Sequence, residues 1–98
     1  MLIKIHKSYR DVVAVCDSEL LGKLFEEGKF QLDIKESFFA GEKFSEQEII
    51  KILQNLSRED ATFNIVGEKS VATALKAEII HEDIVKKIAG IPFALVLL

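Results

Sequence analysis

Two stretches hold side chains whose types and spacing could do chemistry. The first is Ala61-Thr62-Phe63-Asn64-Ile65-Val66-Gly67-Glu68-Lys69-Ser70, where a strand-like run passes through one glycine into a helix-like run. Gly67 lets the backbone turn tightly, and the N–H groups opening the following helix have no intrahelical partner, so an anion could face them. Lys69 and Ser70 would add a charge and a hydroxyl, with Asn64 on the approaching strand. Glu68 opposes this, because a carboxylate in the first helical turn can satisfy those donors and the helix dipole itself. The alternative is then a plain strand-to-helix turn. The extra glycines that wrap a phosphate in a P-loop or a dinucleotide fingerprint are absent, which disfavours a phosphate-cradling enzyme.

The second stretch is Cys16-Asp17, placed where a strand yields to a helix. Helix N–H groups there would favour the thiolate and raise its reactivity, whereas Asp17 would repel it. A nucleophilic role needs a base, and the two histidines, His6 and His81, are the candidates for a Cys16-His6 or Cys16-His81 pair. The competing account is a structural, partly buried thiol. His81-Glu82-Asp83 sets an imidazole beside two carboxylates, but adjacent positions do not share a helix face and no second histidine stands at a short offset. A polar cap is the simpler reading, and no metal is implied. Phe38 and Phe39 lie in a loop, where they either plug the edge of the core or, if one ring is exposed, anchor a protein or stack on a base.

These residues need elements to position them. Ile3 and Ile5 alternate with Lys4 and His6, and Val12 to Cys16 form a β-branched run, so a hairpin turning at Ser8-Tyr9-Arg10-Asp11 is expected. Asp17 or Ser18 is expected to cap a short helix carrying Leu20, Leu21, Leu24 and Phe25, ending near Gly28. Phe30, Leu32 and Ile34 alternate as a half-buried strand, and residues 37–44 form a loop around Gly41. Ser45 and Glu48 make a capping box for a helix over 46–56, whose stripe is Ile49, Leu53 and Leu56. A strand over 61–66 and a helix from Gly67 to about Ala77 follow. Residues 84–88 fit either a strand or a last helical turn. Ala89-Gly90-Ile91-Pro92 marks a bend, and Phe93 to Leu98 reads as a terminal strand, covered on both faces or inserted into a partner. The order favours an α/β or α+β fold: one small mixed sheet with an N-terminal hairpin and two to three packed helices.

Composition sets outer bounds. The 98 residues suit one domain, and 49% hydrophobic with 30% charged residues is ordinary for a folded chain. A net charge of -3 gives no global pull toward polyanions, although Lys4, His6, Lys7 and Arg10 make the first ten residues locally basic. One cysteine forbids an intrachain disulfide and suits the reducing cytoplasm, and no apolar run approaches a bilayer span.

Val15-Cys16-Asp17 before Glu19-Leu20-Leu21-Gly22-Lys23, then Phe39-x-Gly41-Glu42, then Asn64 to Ser70, and finally Gly90-Ile91-Pro92-Phe93-Ala94 run in order along nearly the whole chain. This pattern resembles an archaeal family of small proteins of unknown function. In that family the cysteine and aspartate before the first helix, the central glycine and the terminal glycine-proline turn are shared marks. Members often have a histidine and then a polar residue where this chain has Phe93 and Leu95, so no chemistry is carried over through that histidine. The resemblance implies a cytoplasmic archaeal protein associated with information-processing machinery, and supplies no catalytic residue, substrate or cofactor. The expectation is a non-catalytic interaction domain with a protein or RNA partner, the RNA version resting on Lys4, Lys7 and Arg10. The alternatives are a small enzyme or anion-binding domain using Cys16 or the Gly67 turn, and a homo-oligomer sealed by residues 93–98.

Overall fold

The computed structural model describes residues 1–97. The alternating N-terminal runs pair as expected: β1 (Leu2–His6) lies antiparallel to β2 (Val12–Cys16), with Leu2 opposite Cys16 and His6 opposite Val12. Val13, Ala14, Val15 and Cys16 are all 0% exposed, so β2 is covered on both faces, which is why it has no polar alternation.

Between Asp17 and Gly28 the structure departs from the expected helix. Only Ser18–Leu20 winds, as a single 3-10 turn, and Leu24–Glu27 forms β3, antiparallel to β4 (Phe30–Asp33). The leucine spacing suits a helix, but Gly22 has φ +82, a left-handed value that ends the winding and sends the chain into the hairpin. Leu24 is left half exposed, and Phe30, expected on the buried face of its strand, projects into solvent. The segment expected as a loop holds one helical turn, α1 (Glu36–Phe39), and a two-residue strand, β5 (Glu42–Lys43), on the outer edge of β1.

The firmest local signal holds. In α2 (Glu46–Ser57) the Ser45 hydroxyl accepts from the Glu48 N–H at 3.3 Å, and the Glu48 carboxylate accepts from the Ser45 N–H at 3.1 Å. These bonds hold the Glu48 carboxyl below its ordinary pKa. β6 (Thr62–Val66), Gly67 and α3 (Glu68–Lys76) follow in the expected order. Residues 82–84 make a 3-10 turn and Lys86–Ile88 forms β7, so the segment open to two readings is a turn and then a strand. The reversal falls at Ala89-Gly90, both with positive φ, as a two-residue hairpin requires. β8 (Ile91–Val96) therefore begins before Pro92 rather than after it. Its missing N–H costs no ladder bond: Gly67 donates to the Pro92 carbonyl at 2.9 Å, and the Gly67 carbonyl that a donor at 92 would face accepts from Val71 instead.

The six-stranded sheet has the order β5-β1-β2-β6-β8-β7, with β2 and β6 parallel and every other pair antiparallel. It is the mixed sheet expected, with three α-helices among the described residues. α2 and α3 pack on one face over Val13, Val15, Phe63, Ile65 and Ala94. The β3–β4 hairpin, the 3-10 turn at Leu20 and α1 cover part of the other, over Ala14, Cys16 and Val66.

Candidate functional site

Because β2 and β6 are parallel and end level, their exits lie side by side, and Asp17 N–H continues the ladder to the Val66 carbonyl at 3.1 Å. That register carries the Asp17 side chain to the N-terminus of α3. One carboxylate oxygen accepts from the Ser70 N–H at 2.8 Å and the Ser70 hydroxyl at 2.7 Å, and the other accepts from the Lys69 N–H at 3.1 Å. Ser70 is 0% exposed and Asp17 4%. The crevice beyond the carboxyl ends of parallel strands, where α/β sheets commonly receive ligands, is thus filled by a side chain of the chain itself.

Gly67 is required here for a reason its neighbours in sequence do not reveal. Its φ is +112, and a Cβ added at that position would lie 2.4 Å from the Asp17 carboxylate carbon. The glycine provides both the turn and the space for the carboxylate. Glu68 and Lys69 are exposed, and Asn64 is half-buried on the strand. Of the residues singled out at this junction, the structure brings Gly67, Lys69 and Ser70 together with Asp17, which the sequence pairs only with Cys16.

Cys16 itself is 0% exposed. Burial, reinforced by the Asp17 carboxylate, pushes its thiol up to about 11, the opposite of an activated nucleophile. His6 stands four residues along the ladder from the position opposite Cys16, about 13 Å at the rise of an antiparallel strand. Its imidazole is otherwise engaged: Nε2 lies 2.9 Å from the Phe38 carbonyl and the ring stacks on Phe38 at 4.7 Å. Phe38 meets Phe39 edge-on, and Phe39 is buried, so this aromatic pair closes the core edge over β1. His81 lies exposed on the turn after α3, and among the described residues no three His, Cys, Asp or Glu side chains converge.

At the other end of the sheet the situation reverses. Residues directly opposite on paired strands share a face, so Lys4, Ala14, Asn64 and Leu95 form one row across the sheet. His6, Val12 and Thr62 form the next. The β3–β4 hairpin packs over the row that holds Cys16, Val66 and Phe93, and leaves the next row uncovered at its β8 position, Leu95. Leu95 is 49% exposed and Leu97 72%. A groove of about 440 Å³ lies beside them, lined by Asp83, Ile84, Lys86, Phe93 and Leu95. The unbroken apolar run toward the C-terminus signals this surface. Residue 98, part of the segment expected to seal an oligomer, lies outside the described residues.

A third feature went unsignalled. Tyr9, in the β1–β2 turn, is fully exposed, between Lys7, which pairs with Asp11 at 3.0 Å, and Arg10. An aromatic residue inside a basic turn is the pattern that could have marked it.

Fold and junction together define a small α/β domain in which a strand-end aspartate caps a helix belonging to a parallel neighbour. Residues 6–98 match the family described as protein of unknown function (DUF424), and the chain belongs to that family. Among curated proteins none matches. The fold is similar to the crystal structure of an uncharacterized conserved protein from Methanopyrus kandleri, with a TM-score of 0.87 and 25% identity over 97% of this chain and 88% of that one. The likeness to an archaeal protein accords with the expected family. Among the described residues no helix is long and apolar enough to cross a membrane.

Proposed function

We propose that this protein is a non-catalytic interaction domain that meets a protein partner with the uncovered end of its sheet. The observation that carries the reading is the exposure of Leu95, in the row of Lys4, Ala14 and Asn64 next to the packed Cys16 and Val66, and of Leu97 just beyond the strand. The residues that looked chemical support it by their engagement: Asp17 is spent on α3, and Cys16 is buried with a raised pKa. A lone reduced thiol suits a cytoplasmic setting. A photo-activated cross-linker placed at position 95 is expected to capture protein in cells, while one at the exposed Glu59, beyond α2, captures little. Equal capture from both positions would refute the reading.

RNA association is a second reading, favoured by the exposed Tyr9 ring with Lys7 and Arg10 beside it in the turn, and Lys4 on the preceding strand β1. Aromatic stacking combined with phosphate contacts is how sequence-tolerant single-strand binding is built. Salt-sensitive binding of single-stranded RNA that is lost in the triple variant Lys4→Glu, Lys7→Glu, Arg10→Glu would support it. No measurable binding at low salt would remove it. The enzyme and anion-binding alternatives would need Cys16 or the Gly67 turn to be reachable, and in both places the chain's own groups stand in the way.

A further inference from the structure

We infer that the partner at the uncovered sheet end is a second copy of this chain, an inference that rests on the protein-contact reading above. The groove beside Leu95 has an apolar floor, with Ile84 37% exposed and Leu95 49%. Its rim holds one charge of each sign, Asp83 and Lys86, both exposed. Neither takes part in an ion pair among the described residues. Lys87 does not upset this balance, because it stands opposite Pro92, on the other face of β7 from Lys86 and Phe93.

A patch with an apolar centre and one unpaired charge of each sign is its own complement. Under a two-fold axis residue i meets j while j meets i, so Asp83 of each copy faces Lys86 of the other and both charges are answered twice. A polyanion, or any partner surface of a single sign, would be repelled by one of the two. Leu97, 72% exposed and two residues beyond Leu95, supplies a projecting side chain for the groove of the second copy.

The test is sedimentation of the purified protein over a concentration series. The mass is expected to rise from the 11.0 kDa of one chain toward twice that value. Asp83→Lys alone and Lys86→Asp alone should each shift association to at least about tenfold higher concentration, since each places like charges face to face. Mixing the two single variants should restore association, because the mixed pair sets Lys against Asp at both contacts. The circular dichroism of each variant, at exposed positions, should match that of the parent. A parent that stays monomeric at every concentration overturns the inference, and so does a dimer indifferent to both reversals. If the parent is monomeric while the cross-linker at 95 captures a different protein, this inference falls and the protein-contact reading stands. If it captures nothing, both fall.

Discussion

The two ends of one sheet differ in a way that separates apparent chemistry from available surface. At the carboxyl ends of β2 and β6 sit a thiol, a carboxylate, a hydroxyl and a helix N-terminus, and each is buried or answered by another. At their amino ends the same face carries Leu95 and Leu97, chemically plain and uncovered. Polar groups gathered at a fold junction are costly unless satisfied, so their concentration there reflects the need to join two elements. Apolar groups left in water have no such internal account, and they are the better sign of a partner.

The comparison breaks most directly at Asp17. Replacement by Ala would leave two backbone donors and the buried Ser70 hydroxyl without an acceptor. At about 1–3 kcal/mol for each unsatisfied buried group the loss should reach about 3 kcal/mol or more, read from denaturant unfolding. A loss well under 1 kcal/mol would mean the junction does not depend on its cap. Gly67→Ala should cost a comparable amount, from left-handed backbone and from the collision with the carboxylate. Because the collision needs Asp17, the double variant should lose less than the sum of the two single losses. Strict additivity would show that the clash is not felt.

Cys16 gives the next largest effect. Its folded pKa of about 11 lies above the ordinary 9.0. The folded chain therefore keeps a proton that the unfolded chain releases as pH rises. Stability from this source is fully present below about pH 9 and falls between there and about pH 11, by on the order of 2–3 kcal/mol. Unfolding curves across that window should be steeper in pH for the parent than for Cys16→Ala. A thiol reagent at neutral pH should label the native protein only as fast as it opens. Rapid native labelling would return Cys16 to the list of reactive groups. Smaller still is Ser45→Ala, expected to cost about 1 kcal/mol through the lost cap, without touching either end of the sheet.

What the residues disclosed in advance tracks how local the causes are. The capping box at Ser45 and Glu48 and the β-branched runs of β1, β2 and β6 act within a few positions, and their elements stand where expected. The helix expected after Asp17 failed because Leu20, Leu21, Leu24 and Phe25 keep helical spacing while Gly22 takes a left-handed turn that spacing does not report. The role of Asp17 was out of reach for a stronger reason. Its partner Ser70 is 53 residues away, and the contact exists only because β2 and β6 are parallel and end level. At the other end, the apolar run of β8 declared itself, but not which side chains would stay uncovered. That depends on how far the β3–β4 hairpin reaches across the sheet.

The smallest expected effect is the sharpest test of the contrast. Leu95→Lys removes an apolar side chain that is already half in water and introduces a charge that can remain solvated, so thermal stability should change by no more than about 0.5 kcal/mol. The same substitution places two ammonium groups at the centre of the inferred contact and should abolish self-association. Asp17→Ala should do the reverse in the temperature range where it stays folded, weakening the fold while leaving association intact, because neither Asp17 nor the α3 groups it caps line the groove. If Leu95→Lys instead unfolds the chain, then Leu95 belongs to the core and the uncovered end is closed by packing after all. If both variants lose stability and association together, the junction and the open face are one cooperative unit, and the division between them has no energetic meaning.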